Sequence, residues 1–264
     1  MRSIMRVALI TGAGSGIGRA VAHQLLADGW TVVLTGRRGQ ALEQTLASAP
    51  TGAVATSATA TAVEHSSVVA ADLTTEQGIE AVFAHIKDRY GRLDLLFNNA
   101  GSFGPTARID EYPVAEFDAV LDVNIKAAFR CAQEAFALMS AQEPAGGRII
   151  NNGSISAQIP RPHSVGYAVS KHAMTGLTKA IELDGRPLGI TATQIDIGNA
   201  ATELLADTGS TTGALQADGR KVVEPMFDVA HAAKLIAAVA NADASVTINH
   251  LTVTAQGMPY AGRG

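Results

Sequence analysis

Tyr167 and Lys171 stand four residues apart in Tyr167-Ala168-Val169-Ser170-Lys171. On a helix that spacing places a phenol and an ammonium on one face. A free phenol titrates near pH 10 and is a poor acid or base at neutrality. A unit positive charge ~4 Å away, at an effective dielectric of ~20, favours the phenolate by about 4 kcal/mol. A neighbouring lysine therefore brings a phenol toward the range in which a general acid–base works. Ser164 is expected to cap the helix three residues before Tyr167, and the helix N-terminus then adds only ~0.3–1 kcal/mol in the same direction. An ordinary exposed helix can carry the same pair without chemistry, so the residues that accompany it decide its meaning.

Thr11-Gly12-Ala13-Gly14-Ser15-Gly16-Ile17-Gly18 follows a short apolar run and opens a helical pattern. Glycines let the main chain approach a pyrophosphate, and a helix N-terminus offers free N–H groups to the anion. The spacing Gly12-x-x-x-Gly16-x-Gly18 differs from the usual G-x-G-x-x-G, and a turn with no ligand is the alternative. Its place between a first strand and a first helix favours a dinucleotide. An NAD site usually carries an acid at the end of the second strand for the ribose 2′-hydroxyl. Here that place reads Thr35-Gly36-Arg37-Arg38. Two guanidiniums with no carboxylate suit a 2′-phosphate. NADP(H) is the favoured expectation and NAD(H) the alternative, with one or both arginines then solvated surface charges.

These residues need a scaffold. Short runs rich in Val, Ile and Leu read as buried parallel strands at Arg6–Thr11, Thr31–Thr35, Ser67–Ala71, Leu93–Asn98, Gly147–Asn152, Ile190–Ile195 and Val246–Thr252. Helical patterns lie between them at Ile17–Asp28, Gln40–Ala47, Thr75–Tyr90, Val114–Ser140, Val165–Asp184 and Asp228–Ala240. The alternation predicts an α/β fold, a doubly wound parallel sheet of about seven strands with helices on both faces. Such sheets bind ligands beyond the carboxyl ends of their strands. Ala47–Ser66, rich in Ala, Thr and Ser, is expected to be an exposed loop. Residues 199–226 are expected to form a substrate loop. They contain Gly209, Ser210, Thr211, Thr212 and Gly213, and with Phe227 the apolar Leu204, Leu205, Leu215, Val222, Val223 and Met226. No repeat or second domain is visible, so residues 1–264 are read as one domain.

Composition excludes several classes. With 17% charged and 47% hydrophobic residues, the 264-residue chain reads as globular rather than disordered. A net charge of −4 without a long basic run argues against nucleic acid and anionic membranes as partners. Cys131 is the one cysteine, which precludes an internal disulfide and suggests a small buried hydrophobe. Val7–Ile10 is too short for a secretory signal, and no run approaches ~18 apolar residues, so the expected location is the cytoplasm.

The glycine turn, Asn98-Asn99-Ala100-Gly101, Ser154 and Tyr167-x-x-x-Lys171 occur in one order along the chain. Together they resemble the short-chain dehydrogenase/reductase family, from Val7 to Thr254. The resemblance implies a Rossmann-type domain, a nicotinamide cofactor and a homo-oligomer, a tetramer or dimer. It implies that Tyr167 is the acid–base and that Lys171 assists it and binds the nicotinamide ribose. Ser154 would hold the substrate oxygen, a strand-end cap being the alternative. Asn124, mid-helix where Asn is otherwise unfavourable, would support a water leading to Lys171. The cofactor contacts implied are Gly12, Ser15, Gly16, Ile17, Gly18, Arg37, Arg38, Asp72, Leu73, Asn98, Ala100, Gly101, Tyr167, Lys171, Gly198, Ala200 and Thr202. For Asp72, adenine contact competes with a simple helix-N-terminal acid. The chain departs from the family where Ile197 replaces the usual proline before Gly198, losing a fixed φ. Thr254-Ala255-Gln256-Gly257 departs from the common Asp-Gly-Gly.

The reaction implied interconverts a ketone and a secondary alcohol of a small molecule. A non-catalytic NADP(H) sensor or scaffold is the alternative from another class, and epimerase or dehydratase chemistry a lesser one. Arg161 and His163 lie where the substrate mouth is expected. The histidines show no metal-ligand spacing, and no metal is expected.

Overall fold

A computed structural model of the chain describes residues 5–49, 57–202 and 213–260. The first half alternates β1 (Val7–Thr11), α1 (Gly16–Ala27), β2 (Thr31–Gly36), α2 (Gly39–Ala47), α3 (Ser57–His65), β3 (Ser67–Ala70), α4 (Glu76–Tyr90) and β4 (Leu95–Asn98). Next come α5 (Val114–Leu121), a π-turn at Asp122–Lys126, α6 (Ala127–Ala141), β5 (Gly147–Asn152), α7 (Val165–Gly185) and β6 (Ile190–Gly198). The two-residue strands β7 (Ala200–Ala201), β8 (Ala214–Leu215), β9 (Lys221–Val222) and β10 (Phe227–Asp228) lead to α8 (Val229–Ala240) and β11 (His250–Thr254).

Seven strands form one parallel sheet in the order β3-β2-β1-β4-β5-β6-β11. The direction of winding reverses between β1 and β4, which opens a crevice at their carboxyl ends. Two apolar layers cover the sheet. One packs Val21, Leu25 and Ile236 from α1 and α8 against Ile10 and Phe97. The other packs Val82, Phe83 and Ile86 of α4 with Ala132 of α6 and Ile181 of α7 against Leu9 and Leu96. β1 and β4 are buried on both faces, which is why they read as continuous apolar runs.

Four expectations need correction. Part of Ala47–Ser66 is helical: α3 buries Thr59 and Ala62 on the Trp30 side of the core, and its alanines favour helix. The last strand begins at His250 rather than Val246. Residues 242–246 turn instead, and the carbonyls of Ala242, Asp243 and Val246 receive the Arg148 guanidinium. The helix expected over Val114–Ser140 is interrupted by the π-turn that carries Asn124. Ser164 precedes α7 but its side chain does not cap it: the hydroxyl donates to the Arg161 carbonyl at 2.7 Å.

Candidate functional site

The glycine turn lies at the carboxyl end of β1. Gly12 has φ of +64° and Gly16 of +51°, conformations that side chains rarely adopt. A Cβ on Gly18 would stand 2.3 Å from the Gly12 carbonyl oxygen and 2.6 Å from Asn99 Nδ2. Gly18 is thus required by packing, while Gly12 and Gly16 shape the turn. Asn99 ties the turn to β4, with Nδ2 donating to the Thr11 carbonyl at 2.9 Å and the Gly12 carbonyl at 3.2 Å. The Thr11 hydroxyl accepts from the N–H groups of Asn99 and Ala100, both at 2.9 Å.

A cleft of about 660 Å³ opens above this turn. Gly12, Ser15, Gly16, Ile17, Arg37, Arg38, Asp72, Leu73, Ala100 and Gly101 line it, with Tyr167, Lys171 and Thr202 at its far end. Arg37 and Arg38 are exposed at its rim, and Arg38 donates to Ser15 Oγ at 3.2 Å. Asp72 accepts from the Thr74 N–H at 3.0 Å and hydroxyl at 2.7 Å. Those two bonds, with the Arg37 charge adding to them, hold its carboxyl below the usual carboxylate range. Thr75, not Asp72, caps α4. Gly18 and Asn98 do not line the cleft: the Asn98 amide turns into the core, donating to the Ala128 carbonyl and Asn151 Oδ1.

A second, smaller cavity of about 120 Å³ joins the cleft. Ser154, Ile155, Arg161, Gly198, Asn199 and Ala200 line it beside Phe103. Ile17, Asn152, Tyr167 and Thr202 face both spaces. Tyr167 therefore stands at the junction, its ring stacked on Phe103 with centroids 4.7 Å apart. Lys171, one turn further along α7, lies 5.4 Å from the centre of that ring. Its Nζ donates to the Asn152 carbonyl at 2.7 Å, and Asn152 Nδ2 donates to Asn99 Oδ1 at 3.0 Å. Ser154 Oγ accepts from the Ser156 N–H at 3.1 Å, so it caps the 3₁₀ turn Ile155–Ala157. One accepted bond leaves a hydroxyl its own proton to donate.

Asn124 is buried in the π-turn, a distortion often found at functional sites. Its Oδ1 accepts from the Ser102 N–H at 2.8 Å, and its Nδ2 donates to the Ser102 carbonyl and to Ser170 Oγ, both at 2.9 Å. Ser170 Oγ in turn donates to the Tyr167 carbonyl at 2.7 Å. Asn124 thereby ties the end of β4 to the turn of α7 that carries Tyr167.

Sequence reasoning missed the Asn99–Asn152–Lys171 chain, although two asparagines ending an apolar strand were a visible signal. It also missed what anchors the loop. Arg161 donates to Asn199 Oδ1 at 2.9 Å and pairs with Glu224, which also accepts from Asn199 Nδ2 at 2.9 Å and Gln216 Nε2 at 3.1 Å. Asn199 has φ of +58°, at the turn where Ile197 stands for proline. Of the substrate-loop residues, Leu204, Leu205, Gly209, Ser210, Thr211 and Thr212 lie outside the described residues. Val222, Val223 and Met226 are exposed and line neither cavity. His163 is exposed too, and only Arg161 of that pair faces the smaller cavity. Among the described residues no cluster of His, Cys, Asp or Glu is arranged to hold a metal, and no helix is long and apolar enough to cross a membrane.

Comparison with known proteins bears on the family and the fold. The family model described as short chain dehydrogenase matches residues 6–213. A 3beta-hydroxysteroid dehydrogenase of Mediterraneibacter gnavus is 33% identical over 223 residues, 83% of this chain and 76% of that protein. An uncharacterized oxidoreductase of Staphylococcus aureus is 33% identical over 227 residues, 86% of this chain and 88% of its own length. Among solved structures, an actinorhodin polyketide ketoreductase variant with NADPH superposes with a TM-score of 0.80 at 27% identity, covering 96% of this chain and 98% of that one. Levodione reductase gives 0.80 at 26% identity, covering 94% and 95%.

Proposed function

This chain belongs to the short-chain dehydrogenase family, and we propose that it interconverts a ketone and a secondary alcohol with NADP(H), Tyr167 acting as the acid–base. The observation that carries this reading is the place of Tyr167, between a cleft floored by the glycine turn and a smaller cavity lined by Ser154. The cleft fits a dinucleotide. The start of α1 has no side-chain cap, which leaves its N–H groups for a pyrophosphate, and Gly12 and Gly16 put no side chain of their own into the cleft.

Bound there, a reduced nicotinamide supplies the hydride. The chain's own residues do the rest. In reduction the Tyr167 phenol gives its proton to the substrate oxygen, and in oxidation it takes that proton back. Ser154 donates a second hydrogen bond to the same oxygen, where negative charge develops. Lys171 holds a positive charge beside the phenol and is read as the ribose contact. Asn124 is read as supporting the water path that resupplies Lys171. Arg37 and Arg38 are read as the 2′-phosphate contacts, Asp72 as the adenine contact, and Gly198, Ala200 and Thr202 as the carboxamide side. We read the chain as one domain that assembles as a homo-oligomer in the cytoplasm. Exposed Phe129, Val169 and Leu183 on α6 and α7 support assembly.

A ketone panel tests this: a 3-ketosteroid, a 3-ketoacyl thioester, levodione and a short diketone, each with NADPH and with NADH. Loss of nicotinamide absorbance with at least one ketone, and a higher kcat/KM with NADPH, is the expected result. NADPH binding without turnover across the panel would replace the enzyme by a sensor. A preference for NADH would overturn the cofactor assignment.

A further inference from the structure

Asp196, on β6, is fully buried and lines neither cavity, yet it reaches the segment that carries Ser154. Its Oδ1 accepts from the Ser154 N–H at 3.0 Å. Its Oδ2 accepts from the Gln158 side-chain amide at 2.8 Å. Between these two grips lies the single 3₁₀ turn Ile155–Ala157, which Ser154 Oγ caps. Gln194 Nε2 at 2.7 Å and His250 Nε2 at 2.8 Å are the carboxylate's remaining partners. Four donors on one buried carboxylate fix its position, and the Ser154 N–H is itself buried, so losing that bond would leave a desolvated donor. Gly153 belongs to the same device. A Cβ there would stand 2.0 Å from Asp196 Oδ1. The acid at 196 thus accounts for the glycine at 153, immediately before Ser154.

We propose that Asp196 is a positioning residue that sets the Ser154 hydroxyl against the substrate oxygen by clamping both ends of the Ser154–Gln158 turn. The inference rests on the reading of Ser154 under Proposed function. Asp196 lines neither cavity, so its influence on the reaction passes through Ser154. A hydrogen bond to a developing charge depends steeply on placement, and a shift of about 1 Å can cost a hundredfold in rate. Asparagine at 196 would keep one acceptor oxygen and turn an amide N–H₂ toward donors that already point inward.

The test is a double-mutant cycle in kcat, with NADPH and the ketone that turns over fastest in the panel. Ser154→Ala is expected to lower kcat about a hundredfold. Asp196→Asn is expected to lower it about tenfold when Ser154 is present and less than about twofold in the Ser154→Ala background. NADPH affinity, read by fluorescence titration, stays unchanged in all four proteins. A purely structural role would lower kcat equally in both backgrounds, and that result, or an unchanged kcat in Asp196→Asn, overturns the proposal. Full activity in Ser154→Ala alone removes the reading of Ser154 itself, and this inference with it. Should Asp196→Asn not fold, Gln158→Leu removes the exposed grip of the clamp, together with the bonds of the same side chain to Tyr260 and Thr252. It is expected to cost about threefold with Ser154 present and nothing without it. Equal effects in both backgrounds, or none in either, overturn the proposal.

Discussion

Lys171 donates to the main-chain carbonyl of Asn152 at 2.7 Å, which anchors the ammonium on the strand below rather than leaving it to solvent. Asn152 then donates to Asn99, and Asn99 to the carbonyls of Thr11 and Gly12. One chain of hydrogen bonds therefore runs from the Tyr167–Lys171 pair to the glycine turn. The two halves of the site, cofactor cradle and proton-handling pair, share a fixed distance because they share these bonds.

Replacing Lys171 by Ala breaks that chain at its charged end. Turnover should fall by about 10²–10⁴, the usual weight of a general acid–base arrangement. The half-buried Asn152 carbonyl loses a charged partner, which costs about 1–3 kcal/mol of stability. Steady-state kinetics and a urea unfolding curve check both. Unchanged stability would mean that water replaces the ammonium freely.

The rim arginines address cofactor choice. Replacing Arg37 and Arg38 together by Ala should weaken NADPH binding about 10- to 100-fold, as expected for losing charge-assisted hydrogen bonds to a phosphate. NADH lacks that phosphate, so its affinity should change by less than about twofold. Calorimetric titration with each cofactor measures the difference. Equal losses for both would assign the arginines to another part of the molecule.

Gly18 offers a test of packing rather than charge. An added Cβ would lie 2.3 Å from the Gly12 carbonyl oxygen, against main chain that has no rotamer to change. Gly18→Ala should cost about 1–3 kcal/mol, as overpacking commonly does. It should also abolish NADPH binding by displacing the turn. Thermal unfolding and fluorescence titration read the two effects.

Cys131 predicts a pH dependence. Burial pushes its thiol up from the ordinary 9.0 to about 12. Between those values the unfolded chain releases a proton that the folded chain retains. The contribution is therefore whole below pH 9.0 and is lost as pH rises toward about 12. In Cys131→Ala the decline of the unfolding midpoint across that window should be shallower than in the parent. A thiol reagent should label the native protein only at the rate of unfolding.

The parallel sheet was legible in the sequence because strands buried on both faces must be apolar throughout, as Val7–Thr11 and Leu95–Asn98 are. The glycine turn and the Tyr167–Lys171 pair were legible because their roles follow from residue type and short spacing. Asn124 was visible as a polar residue in an apolar helix, but the π-turn that presents it depends on packing against α7. Asn152 and Asp196 act across the sheet, 19 and 42 positions from their partners Lys171 and Ser154. No local pattern announces such contacts. α3 was misread because alanine and threonine suit both a loop and a helix until a core is present to bury one face.

The central claim is that Tyr167 transfers the proton. Tyr167→Phe tests it most directly, since the ring and its stack on Phe103 remain and only the hydroxyl is removed. Turnover should fall by about 10²–10⁴ while NADPH affinity stays within about twofold of the parent. A variant that keeps near-parent kcat would contradict the account, whatever its affinity for the cofactor.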